Sequence, residues 1–313
     1  MKLCEVVGTY ITHKRSLGMQ FRGEALQLGA YVKAMGNIEI DHVRPAAVRK
    51  FLDGRGPVTA YWFNKYYALH AFYRYALAHH YVSESPLPLN KPQKPTRFEP
   101  YIYTNADLRR LIDAADSCHR HVWFIDAHTV RTLLLLLLGT GLRISEALRL
   151  NLADFDAESG ILTVQETKFF KSRFVPVGTD LQRVLQTYID QEWPAERRAP
   201  TSPLLRTKKY ARVRRGAAEL LFQRLRDEAG VSRPAGARFQ PRLHDFRHTF
   251  AVMRLVTWYR EGKNVQQLLP YLTTYLGHCR IMETQRYLTM TTELLREASR
   301  CFEQYARSEV KRV

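Results

Sequence analysis

The sequence predicts a mainly α-helical protein with a small antiparallel β-sheet, arranged as two units. Three observations carry that prediction. Apolar residues recur at helical spacing through the first 85 residues and again through most of the second half of the chain. Residues 83–100, SESPLPLNKPQKPTRFEP, hold five prolines and three basic residues without periodicity, the signature of extended linker chain. Residues 161–177, ILTVQETKFFKSRFVPV, alternate apolar and polar, pass through a polar turn and resume with Phe174, Val175 and Val177, as a hairpin does. These boundaries divide the 313 residues into a helical unit at 1–85, a linker at 86–100 and a larger unit at 101–313.

Taken in order, Val6–Leu17 and Glu24–Ala34 show apolar residues at helical spacing, and Pro45 suits the first turn of a helix over Ala46–Leu52. Pro57 and Thr59 open a longer helix to about Tyr81, dense in aromatics (Tyr61, Trp62, Phe63, Tyr66, Tyr67, Phe72, Tyr73, Tyr75), with Lys65 and Arg74 between them. Most of these rings suit the core of a small bundle, whereas Lys65 and Arg74 are candidates to face a polyanion. The second unit starts with the helix-start signal Thr104–Asn105–Ala106–Asp107. A leucine-rich helix over Thr129–Leu138 is expected to break at Gly139-Thr140-Gly141 and to resume over Leu142–Leu150. Further helical patterns cover 179–192, 216–229, 244–260 and 293–307.

The net charge is +18, with 14 Lys/Arg against 7 Asp/Glu in residues 1–100 and 34 against 23 in the remainder. Both units are therefore basic, which suits a protein that embraces nucleic acid from two sides. The run Arg206, Lys208, Lys209, Arg212, Arg214, Arg215 contains no acid and is either a solvated face or a phosphate-neutralising one. Cys4, Cys118, Cys279 and Cys301 form no CxxC pair, so free thiols in a reducing, cytoplasmic compartment are expected. The N-terminal residues lack a signal-peptide apolar core, and the run Leu133–Leu138 falls far short of the ~20 residues that a membrane span needs.

A row of chemically suggestive residues follows: Arg143, Lys168, His244 with Arg247, His278 and Tyr287. A guanidinium presents a fork that matches two phosphate oxygens, and Glu146, three residues beyond Arg143, is placed to orient it. His244 and Arg247 share one helical face. His244 and His248 have the spacing of a zinc helix, but Asp245 stands where HExxH has glutamate and no third ligand is evident, so no metal is expected. Tyr287, in Thr-Gln-Arg-Tyr nine positions after His278, is a candidate nucleophile toward a phosphate.

The segments GTGLRISEALRL (139–150), TKFFKSRFVPVG (167–178), LHDFRHTFA (243–251) and LGHCRIMETQRYL (276–288) resemble the catalytic domain of the tyrosine recombinase, or phage integrase, family. The first 85 residues are similar to that family's core-binding domain in length, helicity and charge. The resemblance implies that Arg143 and Arg247 clamp the scissile phosphate and that Tyr287 attacks it to give a 3′-phosphotyrosine. It implies that Lys168, chosen over Lys171 by aligning Val175-Pro176, protonates the leaving 5′-oxygen. His244 would help to deprotonate the nucleophile, His278 would hydrogen-bond the phosphate and Glu146 would support the site. Neither metal nor ATP is implied. The expected partners are double-stranded DNA, a homotetramer on paired sites and other recombinases of the same element, with Lys65, Arg74, Lys171, Arg173, Lys208, Lys209, Arg212, Arg214 and Arg215 on DNA. The long segment between Arg247 and Gly277 resembles a transposon and mobile-element subgroup. Two alternatives stand beside this reading: a type IB topoisomerase, which would relax supercoiled DNA without recombinant product, and a DNA-binding protein that has lost catalysis.

Overall fold

The computed structural model describes residues 1–95, 99–117, 124–165, 172–234, 237 and 239–310, with the side chains of 301, 302 and 304–310 left out. It divides into two compact units, Met1–Phe98 and Glu99–Val313. The mainly helical class with one small antiparallel sheet is as predicted.

The first unit holds α1 (Leu3–Ser16), α2 (Arg22–Met35), α3 (Pro45–Asp53) and α4 (Ala60–Ala78). Pro45 occupies the first turn of α3, where its missing N–H costs nothing, and the Thr59 hydroxyl accepts the Tyr61 N–H at the start of α4. Trp62, Phe63, Tyr66, Phe72 and Tyr73 are buried among Leu3, Val6, Tyr10, Leu28 and Tyr31, and the Tyr31 and Tyr73 hydroxyls meet at 2.7 Å. Aromatic core packing therefore accounts for most of α4. Lys65 departs from the expected DNA-facing role. It is buried, and its ammonium donates to the Phe51 and Leu52 carbonyls at the C-terminal turn of α3. Those carbonyls have no intrahelical donor, so a cation there satisfies them and complements the helix dipole. Arg74 is exposed.

In the second unit α5 (Asn105–Ser117) begins with reciprocal bonds between Thr104 and Asp107, and α6 (Ala127–Thr140) begins with Asp126 accepting the Thr129 N–H. Leu133, Leu134, Leu136 and Leu137 are core residues. The expected break at Gly139 comes two residues later: α6 runs through Thr140 and ends at Gly141, with φ of +62°. Gly139 stays helical because its bare Cα lets Leu181 pack close; a Cβ there would lie 2.8 Å from Leu181 Cδ2. The helix expected over Leu142–Leu150 shrinks to α7 (Ile144–Ala147), because the following chain turns into β1 (Phe155–Asp156) through a short 3-10 turn. Strand β1 was too short for its alternation to register in the sequence. It pairs with β2 (Ile161–Val164), which pairs with β3 (Arg173–Pro176), Leu162 facing Val175 and Val164 facing Arg173.

The remaining helices are α8 (Thr179–Glu192), α9 (Arg215–Glu228), α10 (Asp245–Arg260), α11 (Val265–Leu276), α12 (Met282–Gln285) and α13 (Thr292–Val310). The segment between Arg247 and Gly277 is thus filled by most of α10 and all of α11, whose apolar faces pack on each other through Leu255, Val256, Leu269 and Leu272. Arg260 on α10 pairs with Glu293 and Glu297, so α13 lies against its own unit. Among the described residues no helix is long and apolar enough to cross a membrane.

Candidate active site

The site grows from Gly141. Its left-handed φ turns the chain out of α6, and a Cβ at this position would lie 2.5 Å from Phe250 Cδ1, so the turn and α10 can approach only through glycine. Arg143, two residues on, stands at the start of α7. Glu146 accepts the Arg143 backbone N–H at 3.0 Å and its Nη1 at 2.7 Å, and Arg143 Nη2 donates to Gly277 O at 3.1 Å. The predicted Arg143–Glu146 pairing is present, with 31% of the Arg143 side chain still open to solvent.

Arg247 reaches the same place from α10. Its residue surface is 2% exposed, and it donates to Gly141 O at 2.8 Å and Leu276 O at 2.6 Å. The two arginines therefore knit the Gly141–Arg143 turn to the C-terminal end of α11. Burial, and then the neighbouring Arg143 charge, push the Arg247 pKa down to about 10, so it remains a cation at neutral pH.

Beyond α11 the chain turns at Gly277, with φ of +66°, and presents His278. Thr284 Oγ1 lies 2.7 Å from His278 Nδ1 and is itself bonded to Thr273 Oγ1 at 2.9 Å, which fixes the ring. Tyr287 is buried, with its ring centroid 6.0 Å from His278 and 5.5 Å from His248. His248 in turn lies 5.0 Å from His244, ring edge to face. Burial raises the Tyr287 pKa; Arg247, by charge and hydrogen bonding, and Arg286 and Arg143, by charge, oppose the rise. Burial followed by the arginine charges keeps the site's histidines neutral: His244 falls to about 4 and His278 to about 3. His244 is the more exposed residue of the two, and the Arg247, Arg242 and Arg143 charges act on its ring.

The structure thus gathers Arg143, Glu146, His244, Arg247, His278 and Tyr287 into one cluster. Lys168 and Lys171 lie outside the described residues. Two members of the cluster, His248 and Arg286, are not among the site residues read from the sequence, and a third, Arg173, has a different role there. His248 contacts Tyr287, and its buried Nδ1 has no hydrogen-bond partner among the described residues. Its i, i+4 relation to His244 was visible, but only a metal pair had been weighed for it. Arg286 lies beside the nucleophile candidate in sequence, and its charge acts on Tyr287, His248 and His278. Arg173, assigned to DNA from sequence, instead grips Glu146 through Nη2 at 2.9 Å and has 10% of its side chain exposed.

The basic run of 206–215 also divides. Arg206 is buried and paired with Asp126 and Glu192, so it is not a free phosphate contact, whereas Arg212 is exposed and its guanidinium is also bound to Leu148 O, Leu150 O and Asn151 Oδ1. Lys208, Lys209 and Arg214 are exposed, and Arg215 is exposed with Glu219 as its helical partner. A groove of about 500 Å³ beside Arg143 and His244 is lined by Arg215, Arg226 and Arg242 together with Ser145 and Gln223.

Residues 102–293 match the model of the phage integrase family. A candidate integrase/recombinase of Sinorhizobium fredii, y4rB, is 33% identical over 310 residues, covering 96% of each chain. The tyrosine recombinase XerA of Pyrococcus furiosus is 29% identical over 217 residues, covering 69% of this chain and 66% of its own. Among solved structures, the integrase of transposon Tn1549 in complex with a circular-intermediate DNA superposes with a TM-score of 0.70 at 18% identity, over 100% of this chain and 99% of that one. A lambda integrase tetramer bound to a Holliday junction gives 0.67 at 14% identity, over 92% and 77%.

Proposed function

The chain belongs to the phage integrase family of tyrosine recombinases, and on that premise we propose that it is a site-specific DNA recombinase of the mobile-element type that cuts and rejoins DNA through a 3′-phosphotyrosine on Tyr287. The observation that carries this reading is the burial of one tyrosine beside two neutral histidines, within the field of two arginines, Arg247 anchored to Gly141 O and Leu276 O and Arg143 to Gly277 O. Tyr287 Oη attacks the phosphorus, the 5′-oxygen leaves, and the bond energy is kept in the phosphotyrosine, so rejoining needs no external energy source. Arg143 and Arg247 stabilise the charge that develops on the phosphate oxygens. His244, neutral at working pH, accepts the phenol proton. Thr284 occupies His278 Nδ1, so Nε2 is the nitrogen that meets a phosphate oxygen. Lys168 is the proposed acid for the leaving oxygen.

The groove lined by Arg215, Arg226 and Arg242 opens beside this cluster and is suited to the flanking backbone; Lys208, Lys209 and Arg214 of the same unit are exposed cations, as is Arg74 within the first unit. The partner is double-stranded DNA, bound by both units and, on paired sites, by four copies of the chain, as the relatives' complexes with DNA and a Holliday junction support. Likeness to a transposon integrase over the whole chain supports the mobile-element assignment.

The test is Tyr287→Phe on nicked suicide DNA carrying the element's own ends. The variant should bind DNA as the parent does and trap no covalent complex. An adduct formed by the variant would show that the nucleophile is another residue. Relaxation of supercoiled DNA by the parent with no recombinant product would move it to the topoisomerase alternative.

A further inference from the structure

Arg173 opens β3, yet its guanidinium leaves the sheet. Nη1 and Nη2 donate to Glu146 Oε1 and Oε2 at 3.3 and 2.9 Å, and Nε donates to Tyr275 O at 2.9 Å. Its partner Glu146 has no spare oxygen, because Oε1 also receives Arg143 Nη1 and Oε2 the Arg143 backbone N–H. The other anchor of Arg143, Gly277 O, belongs to the turn two residues beyond Tyr275. The chain is opened there for Arg173: a Cβ on Gly277 would lie 2.8 Å from Arg173 Nη1. Both supports of the Arg143 fork are therefore gripped from behind by one side chain.

We infer that Arg173 is a positioning residue for the phosphate clamp, acting through Glu146 and the Tyr275–Gly277 turn to hold the Arg143 fork open toward the scissile phosphate. The physical reason lies in how one carboxylate is shared. With both arginines present, Glu146 accepts from each and neither neutralises it alone. Without Arg173, the buried carboxylate keeps its hydrogen bonds from Arg143 and draws the fork into a bidentate pair, the geometry that guanidinium and carboxylate prefer. Arg143 then faces Glu146 and not the phosphate. Burial acts to raise the Glu146 pKa; Arg173 and then Arg143 overcome it and hold it at about 2. Among the described residues, the charged groups facing Glu146 are Arg143 from its own turn, Arg173 from β3, Arg247 from α10, and Arg149, Asp154 and Arg212 around a cavity of about 310 Å³.

This inference rests on the strand-cleavage reading, and the test separates the two. Arg173→Gln, Arg173→Lys, Glu146→Gln and the Arg173→Gln/Glu146→Gln double variant are compared with the parent in the full-length protein. Adduct formation on nicked DNA is followed against pH, with DNA affinity and its salt dependence measured alongside. Arg173→Gln should slow cleavage by roughly 10²-fold, the scale of losing one preorganised donor, with affinity within about threefold. It should also gain an acid limb as Glu146 protonates nearer neutrality. Arg173→Lys should recover part of the rate, and the double variant should lose the limb and cleave no more slowly than Glu146→Gln. Parental cleavage by Arg173→Gln would overturn the inference, as would an unchanged pH profile. So would a fall of about one in the salt slope, which would place Arg173 on a DNA phosphate. Carbon NMR of the Glu146 carboxyl in DNA-free protein gives an independent reading: its titration should move to higher pH in Arg173→Gln, and no movement overturns the inference. A parent that forms no adduct overturns the cleavage reading alone.

Discussion

Replacing Arg247 by lysine keeps the charge of the clamp and removes its geometry. Arg247 is 2% exposed and donates to two carbonyls, Gly141 O and Leu276 O, on the two loops that it joins. An ammonium on a flexible stem holds one of them in place at best. One charge-assisted hydrogen bond to a buried acceptor is then lost, roughly 1.5–3 kcal/mol of stability. Urea unfolding followed by near-UV ellipticity measures it as a lower midpoint with an unchanged slope. The chemical step should suffer more. With the Gly141 turn no longer tied to α11, Arg143 loses its alignment to Gly277 O, and one oriented donor is missing from the phosphate, a deficit of roughly 10²–10³ in rate. Single-turnover adduct formation on nicked DNA, run at a urea-free temperature where both proteins are fully folded, separates this from instability. A cleavage rate within threefold of the parent would refute the reasoning, because charge without the fork would then suffice.

Two further outcomes follow from the same contacts. Lys65→Met should destabilise the N-terminal unit by roughly 1.5–3 kcal/mol through the loss of its bonds to the Phe51 and Leu52 carbonyls, while leaving the salt slope of DNA binding unchanged; a slope lowered by about one would return Lys65 to the DNA surface. Acid should weaken the second unit well above the carboxylate range. His244, His248 and His278, pushed down to about 4, 3 and 3 by burial and neighbouring positive charges, stay neutral in the fold where the unfolded chain already binds protons, below about pH 6.5. The unfolded state takes up more protons in that window, so stability falls as pH drops from about 6.5 toward 4. Urea midpoints measured across pH 4–7 should show the slope, and His248→Gln should flatten it; an unaltered slope in that variant would contradict the neutral, buried state of His248.

Much of the cluster was legible in the chain because its chemistry is carried by residue types at fixed spacing. Arg143 with Glu146 is a three-residue helical relation, and His244 with Arg247 is another, so local geometry alone puts each pair on one face. Arg173, Lys65 and Arg206 take partners that the sequence does not reveal, for a shared reason. From sequence, each is a cation near other cations; whether it meets solvent, a phosphate or a carbonyl at a helix end depends on which distant backbone groups lack partners. His248 was missed because its neighbour Tyr287 lies 39 positions away and meets it only after α10, α11 and the Gly277 turn have packed.

The sequence by itself determined the helical class, the small hairpin and its position, and the identity and order of the residues proposed to handle the phosphate. Those features rest on periodicity, turn residues and short-range spacing, which act within a few residues of chain. The tertiary structure decided that Arg247 is held by the Gly141 turn and the end of α11 and Arg143 by the Gly277 turn, that Tyr287 is buried beside two histidines, and which cations of a +18 chain are tied to its own carbonyls and carboxylates. Those outcomes depend on long-range partners and on burial, which set the strength of every charge in the site and which spacing alone does not encode.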